Sequence, residues 1–226
     1  RRDRSHPPTL PPREHQARGV GVLVDRAVEG LEGANGRVAR VVLKDEPAID
    51  AEVVIIGVGM LPNLEVLGAA GAEVANGVRV DAQCRTTLPD VYAIGDCAWH
   101  PNRFAAAGFT RLESVQNAVG QAATVARVLA GEPAEYTEVP WFWSEQFDLR
   151  LQTVGLSSGF DQTVVRGNPA NRTFSVVYLR DGRVQAMDCI NAARDFMQGK
   201  HLVAAAARVD LMQLADASVE LRSLKG

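Results

Sequence analysis

The chain has few cysteines, no long apolar run and little net charge. Its three cysteines among 226 residues, Cys84, Cys97 and Cys189, contain no Cys-x-x-Cys pair, which argues against a disulfide framework and against a zinc site. No apolar stretch approaches the roughly 20 residues that span a bilayer. The formal net charge of −3 gives no electrostatic case for binding nucleic acid or an anionic membrane. We therefore expect a cytoplasmic protein without a metal site.

Residues 1–18 combine five arginines with four prolines, a mixture that disfavours both helix interiors and central strands. We predict a poorly ordered segment there, and a basic arm that contacts an acidic partner is the alternative. Valines then alternate with other residues from position 19 onwards. Asn35-Gly36 follows them and predicts a tight hairpin turn, because both residues tolerate positive φ.

The apolar run at residues 53–56 predicts a strand that is buried on both faces. Gly57-Val58-Gly59 follows it, and a helix is predicted from Leu64 to about residue 70. Two glycines at the carboxyl end of a strand let a ligand approach the backbone closely, so Gly57 and Gly59 are candidate cofactor-binding residues. A structural crossover is the alternative, since this stretch is not a Gly-x-Gly-x-x-Gly fingerprint.

A second short apolar run, residues 91–94, predicts another buried strand, which ends at Gly95-Asp96. The glycine lets the backbone turn sharply, and Asp96 then presents a carboxylate beyond the strand end. Such a carboxylate is suited to holding a hydroxyl of a cofactor. An ordinary strand end of an α/β protein is the alternative.

Helical periodicity begins at Val115 and stops before Gly131 and Pro133. We predict that this helix buries an alanine-lined apolar face and that its first turn directs free N–H groups at a ligand. Glu113 and Ser114 precede the helix as candidate binding residues, and simple capping is the alternative for both. The apolar face comprises Val115, Ala118, Val119, Ala122, Val125, Ala126 and Leu129.

The last third of the chain predicts a small α+β domain. Its aromatic run, Trp141-Phe142-Trp143, is expected at a surface, at an interface or against a flat ligand, or else as a plug between domains. Four strands are predicted at residues 149–156, 163–165, 174–179 and 184–190, followed by a helix over residues 195–208 that Asn191 caps. Arginines along these strands form either a basic face towards an acidic partner or solvated strand edges: Arg166, Arg172, Arg180 and Arg183.

Three motifs in this order resemble the FAD-dependent NADH:ferredoxin reductases, the flavoprotein components of dioxygenase and cytochrome P450 electron-transfer systems. They are Ile-Gly-Asp-Cys-Ala at residues 94–98, Arg-Leu-Glu-Ser-Val-Gln-Asn-Ala at residues 111–118, and Val-Pro-Trp-Phe-Trp-Ser-Glu-Gln at residues 139–146. The resemblance covers roughly residues 19–226. It implies an oxidoreductase that passes electrons from NAD(P)H through FAD to a ferredoxin-type iron–sulfur protein.

The resemblance also implies roles for individual residues. Asp96 holds the FAD ribityl chain with Gly95 beside it, and Val115 offers its N–H to the flavin ring. Glu113 lies near the nicotinamide and Trp141 lies beside the isoalloxazine. In such enzymes Gly57 and Gly59 pass close to the NAD(P)H dinucleotide. No side chain acts as a catalytic acid or base, because the flavin carries the reaction.

The chain departs from that family in lacking both glycine-rich fingerprints, for FAD and for NAD. We therefore expect a C-terminal portion of an α/β flavoprotein with two dinucleotide-binding domains, which alone holds FAD weakly or not at all. The expected parts are a lead (1–18), the end of the NAD-binding domain (19–84), the returning FAD-domain segment (85–138) and an α+β reductase domain (139–226). A non-catalytic module that docks ferredoxin is the alternative.

Overall fold

The computed structural model describes residues 10–224, which form two compact units that divide after Leu61. The first unit begins with helix α1 (Leu10–Ala17). Two prolines occupy the first turn of this helix, where a missing N–H costs nothing because that donor has no intrahelical acceptor. The expectation that this composition disfavours helix is therefore wrong for residues 10–17. Residues 1–9 lie outside the described part, and the poorly ordered lead stays a prediction.

A three-stranded antiparallel sheet follows in the first unit, in the order β1-β2-β3. Asn35 and Gly36 join β1 to β2 with φ angles of 54° and 74°, which confirms the predicted hairpin turn. The three strands are β1 (Val28–Ala34), β2 (Arg37–Leu43) and β3 (Ile49–Asp50).

The buried strand predicted at residues 53–56 is wrong. These residues form no ladder, and the side chains of Val53, Ile55 and Ile56 are 78%, 91% and 69% exposed. An apolar run becomes a central strand only when neighbouring strands satisfy its backbone and cover its faces. No described strand of this unit does so at residues 53–56.

The second unit, described from residue 62 to 224, begins with short helix α2 (Glu65–Ala69), as predicted. A small three-stranded sheet packs a modest core of mainly small side chains: Ala72, Val78, Val80, Ala93 and Ala98. Its strands are β4 (Val78–Arg79), β5 (Ala98–Pro101) and β6 (Phe109–Arg111). Strands β5 and β6 were not predicted from the sequence. Helix α3 (Val115–Leu129) follows, and Gly131, whose φ is +80°, lies just beyond its C-cap.

An antiparallel sheet of five strands, in the order β7-β8-β11-β10-β9, forms the rest of the second unit. Helix α4 (Ala193–Ala205) packs on β8 and β11 and closes the largest apolar core, while α5 (Leu211–Ala215) packs near β9. The four predicted strands and the α+β arrangement are confirmed, and β7 is an additional edge strand. The strands are β7 (Trp141–Gln146), β8 (Leu149–Gly155), β9 (Gln162–Asn168), β10 (Thr173–Arg180) and β11 (Arg183–Ile190).

Two polar residues of this domain have roles other than those predicted for them: Asn191 was predicted to cap a helix, and Arg166 to lie on a basic face or at a solvated strand edge. Asn191 does not cap α4. It adopts a φ of 48°, accepts the Arg150 N–H at 2.8 Å and donates to two loop carbonyls. Arg166 is 3% exposed, so it cannot belong to a basic surface. It pairs with Asp195 at 3.0 Å and donates to the carbonyls of residues around α5.

Within residues 10–224, no helix combines the length and the apolar character that crossing a membrane requires.

Candidate functional site

The Gly95-Asp96 turn has a buried glycine and an exposed carboxylate. Residues 91–94, predicted as a strand, make only one isolated bridge, between Tyr92 and Arg85. Gly95 has a φ of +73° and begins a single 3-10 turn, so the predicted sharp change of direction is present. Its N–H donates to Gln121 Oε1 at 2.7 Å. Gln121, on α3, therefore fixes the backbone from which Asp96 projects.

Arg111 connects Asp96 to Glu113. The Nη1 group of Arg111 donates to the backbone carbonyl of Asp96 at 2.9 Å and forms an ion pair with Glu113 Oε1 at 2.7 Å. The Arg111 side chain is 11% exposed, whereas Glu113 is 42% exposed. Burial of the guanidinium strengthens these contacts relative to a surface pair. Arg111 thus holds the Glu113 carboxylate beside the Asp96 turn.

The start of α3 supplies a backbone donor to the same place. Ser114 is the N-cap, and its hydroxyl accepts the Asn117 N–H at 3.2 Å, so its capping role is present. The Val115 N–H has no acceptor within the part of the chain that the structure describes, as expected for the first residue of a helix. The positive end of the helix dipole adds to the partial charge there.

The faces of α3 are opposite to the prediction. Its buried residues are polar or small, namely Gln116, Asn117, Gly120, Gln121 and Thr124. The apolar residues Val115, Val119 and Leu129 are 62%, 63% and 69% exposed. The polar face is buried because it makes side-chain hydrogen bonds with the rest of the second unit, such as the contact of Gln121 with Gly95.

The side chain of Gln116, on this polar face, forms hydrogen bonds with the segment that follows α3. The Gln116 amide donates to the Tyr136 hydroxyl at 3.2 Å and to the Glu138 carboxylate, and His100 packs edge-on against the Tyr136 ring. Burial raises the pKa of Tyr136 to about 12 and lowers the pKa of His100. Both side chains are therefore neutral at pH 7 and act as packing and hydrogen-bonding groups.

A cavity of about 450 Å³ opens where the turn and the helix start meet strand β7. Its lining brings together four of the predicted residues with three that the sequence did not single out as binding residues. The predicted ones are Asp96, Glu113, Ser114 and Val115, and the additional ones are Ala118, Phe142 and Trp143. Gly95 does not line the cavity but packs against Ala118, since a Cβ placed on it would lie 3.5 Å from Ala118 Cβ.

Trp141 does not line this cavity. Its ring lies 5.5 Å from that of Trp143 and 5.8 Å from that of Phe196, and the Lys200 ammonium stands 4.5 Å from its centroid. Trp141 therefore packs mainly on α4 and supports Trp143. Its predicted place beside a flavin ring stays a prediction, and Phe142 and Trp143 are the aromatic side chains that face the cavity.

Gly57 and Gly59 belong to the first unit, whereas every residue that lines the Asp96 cavity belongs to the second. No described atom lies within 4 Å of a Cβ placed on either glycine. Gly59 has a φ of +93°, a conformation that glycine alone adopts readily. Both positions are open to a ligand, and their binding role remains a prediction.

The three cysteines are free. Burial raises the pKa of Cys84 to about 11 and that of Cys189 to about 12, so both are thiols at neutral pH. Cys97 is half-buried beside the Asp96 turn and donates to the Ile94 carbonyl at 3.4 Å. These thiols do not form the adjacent pair that disulfide-reducing chemistry needs.

Two family models match the chain: pyridine nucleotide-disulphide oxidoreductase over residues 12–122 and reductase C-terminal over residues 141–225. A ferredoxin–NAD(P)(+) reductase of Sphingomonas sp is 54% identical over 198 residues, which are 87% of this chain and 48% of that relative. The 5,5'-dehydrodivanillate O-demethylase ferredoxin reductase subunit of Sphingobium sp. is 52% identical over 93% of this chain and 52% of that relative.

Solved structures give the same result. A ferredoxin reductase from Rhodopseudomonas palustris superposes with a TM-score of 0.87 at 38% identity, over 93% of this chain and 52% of that chain. Putidaredoxin reductase, in its covalent complex with putidaredoxin, superposes with a TM-score of 0.88 at 36% identity, over 94% of this chain and 51% of that chain.

The chain thus spans about half the length of the curated relatives that it matches. The resemblance and the fold class predicted from the motifs are confirmed. The two parts of the chain thus match the pyridine nucleotide-disulphide oxidoreductase and reductase C-terminal families, and the chain resembles the ferredoxin reductases over both parts.

Proposed function

We propose that this chain supplies the flavin-ring side of the FAD site in an NAD(P)H-dependent ferredoxin reductase. Electrons would pass from NAD(P)H through FAD to a ferredoxin-type iron–sulfur protein, as the names of the relatives suggest. The observation that carries the proposal is the cavity where Asp96, the start of α3 and two aromatic side chains meet.

The residues around this cavity fit the ring and the polyol of a flavin. Its volume of about 450 Å³ lies within the range of small-molecule sites. The Val115 N–H suits a ring carbonyl, and Phe142 and Trp143 offer flat faces to a flat ligand. The exposed Asp96 carboxylate can accept a hydrogen bond from a hydroxyl of the ribityl chain.

Bound FAD would supply the redox chemistry, taking up a hydride and releasing electrons singly. The protein then has to bind the cofactor, orient it and shield it from water. Gln121 and Arg111 hold the Asp96 turn, Ser114 fixes the helix start, and the two aromatic side chains exclude water from one side of the cavity. Glu113 stands beside Arg111, and we assign it to the nicotinamide side of the site.

The predicted domains are part of the same proposal. Residues 19–84 would close the NAD-binding domain, with Gly57 and Gly59 near the dinucleotide. Residues 85–138 would return to the FAD-binding domain, and residues 139–226 would form the reductase domain. Because the sequence contains no glycine-rich phosphate fingerprint, we propose that this chain alone contacts the ring half of FAD and holds the whole cofactor weakly.

The proposal separates the two halves of the cofactor, so it can be tested with FMN and AMP as separate probes. Amide and indole resonances of the chain are followed by NMR during each titration. FMN should shift the Val115 amide and the Trp143 indole, whereas AMP should leave both unchanged. If millimolar FMN moves neither resonance, the proposed flavin site is wrong.

An Asp96→Ala variant measures the carboxylate contact, with Glu135→Ala as the matched control. Glu135 is also exposed but lies on the segment after α3, away from the cavity lining. Asp96→Ala should lower the affinity for FMN by about tenfold, the usual scale for one charge-assisted hydrogen bond, and Glu135→Ala should leave the affinity unchanged. Equal affinities for the two variants would contradict the role of Asp96.

A ferredoxin-docking module without catalysis is the second candidate. The observation that favours it is that the largest apolar core belongs to the five-stranded sheet and α4, at residues 141–224, so this domain has the means to fold by itself. A [2Fe–2S] ferredoxin that binds the chain equally well with and without Asp96→Ala, while FMN has no effect, would favour this candidate.

A further inference from the structure

The arginines of the second unit divide into two groups. Most of them pair with a carboxylate, among them Arg79, Arg127, Arg150 and Arg194. Four arginines with no carboxylate partner in the described residues lie around the β10–β11 hairpin and the end of α4: Arg103, Arg180, Arg183 and Arg208. A cluster of unpaired cations is unexpected in a chain whose net charge is −3.

Three of these arginines line a second cavity of about 450 Å³. Arg103 comes from the loop between β5 and β6, and Arg180 and Arg183 flank the β10–β11 turn. The C-terminal end of α4 forms the third side. This cavity shares no lining residue with the Asp96 cavity, so the proposed flavin site does not explain it.

The guanidinium groups retain most of their hydrogen-bonding capacity. Arg103 donates once to the Ala204 carbonyl and Arg183 donates once to the Ala206 carbonyl, both at 3.1 Å, and these bonds satisfy the end of α4. Each guanidinium has five N–H donors, so four on each remain for another acceptor. The Arg180 guanidinium has no hydrogen-bond partner among the described residues.

The charge balance of the cavity favours an anion. Three guanidinium charges face one lining carboxylate, that of Asp181. The C-terminal end of α4 contributes roughly half a negative charge, which is not enough to cancel the remainder. The lining also includes apolar side chains, those of Phe104, Val184 and Val203. The Arg103 guanidinium also lies 4.7 Å from the Phe104 ring centroid.

We propose that this cavity, the arginine cavity, binds a small organic anion that carries one phosphate or carboxylate group on a flat apolar body. The anionic group would accept hydrogen bonds from Arg180 and Arg183, and the apolar body would contact the partly exposed ring of Phe104. Both parts of the ligand are needed, because the cavity lining contains guanidinium groups as well as apolar side chains.

Three probes separate the possible sources of the affinity: phenyl phosphate, benzoate and inorganic phosphate. Calorimetric titration of the full chain should show saturable binding of phenyl phosphate or benzoate, weakening as the salt concentration rises. Phenyl phosphate binding tighter than benzoate assigns a phosphate ligand, and the reverse assigns a carboxylate. Inorganic phosphate that binds as tightly as phenyl phosphate would overturn the apolar part of the proposal.

The Arg180→Gln variant is the sharpest test, since it removes a charge without removing a hydrogen bond within the protein. Arg85→Gln is the matched control, because Arg85 also lacks a carboxylate partner in the described chain but lies outside the cavity. Arg180→Gln should lower the affinity for the preferred probe at least tenfold and leave the melting temperature unchanged. The Arg85→Gln variant should bind the probe as tightly as the parent. Equal affinity in all three proteins, or no saturable binding by the parent, would overturn the proposal.

Discussion

Replacing Gln121 by leucine removes the side-chain acceptor that holds the Gly95-Asp96 turn. Gln121 is fully buried, its Oε1 lies 2.7 Å from the Gly95 nitrogen, and Gly95 is itself buried. Leucine has a similar volume, so the change reports the hydrogen bond more than a cavity. A buried N–H without an acceptor costs about 1–3 kcal/mol. For a chain of this size that cost lowers the melting temperature by about 5 °C.

The assay is urea and thermal unfolding of Gln121→Leu beside Gln213→Leu, which places leucine at an exposed helical position of α5. The hydrogen-exchange rate of the Gly95 amide reports its own hydrogen bond, which urea and thermal unfolding cannot resolve. We expect a loss of stability in Gln121→Leu only, together with faster exchange at Gly95 and weaker binding of FMN. If both variants unfold alike and the Gly95 amide stays protected, Gln121 does not hold the turn.

Three further predictions concern stability. Burial lowers the pKa of His100 from 6.5, so the unfolded chain takes up its proton first. Stability should therefore fall below about pH 6.5 by up to about 1.4 kcal/mol per pH unit, and His100→Phe should remove this part of the slope in urea titrations near pH 7 and pH 5. A Cβ on Gly155 would lie 2.2 Å from a backbone oxygen, whereas Gly131, also at positive φ, has open space. Gly155→Ala should thus cost at least about 2 kcal/mol more than Gly131→Ala in thermal unfolding. Arg166→Met breaks a buried ion pair and should cost about 3–5 kcal/mol by denaturant titration, against less than about 1 for the exposed Arg127→Met; equal costs would contradict the structural role of Arg166.

Turn chemistry explains which hairpins could be predicted from the sequence. Asn35-Gly36 and Asp181-Gly182 are residue pairs that tolerate positive φ, and both form two-residue turns. Strand β7 escaped prediction because its turn to β8 begins at Phe147, which adopts a φ of 58°. An aromatic residue in that conformation has no counterpart in the usual turn sequences.

The candidate site divides in the same way between local and tertiary features. The turn at Gly95 and the cap at Ser114 depend on their own neighbours, so a motif is enough to place them. Gln121 and Arg111 act through bonds that span 26 and 15 residues, and no spacing in the sequence marks them as partners of Gly95 and Asp96. Such contacts become visible only when the fold brings the elements together.

The errors at residues 53–56 and on α3 share one physical cause. Apolar periodicity predicts that a face of an element is apolar, but it does not say which surface covers that face. In both places the apolar side chains are exposed, and on α3 the polar side is buried because Gln116 and Gln121 have hydrogen-bonding partners inside the second unit. Contiguous exposed apolar surface often marks a binding surface, which makes these rows candidates for one. Substituting Val119 by Ser should therefore leave the free energy of unfolding of this chain within about 0.5 kcal/mol of the parent value, and a large loss of stability would show that the row is already covered.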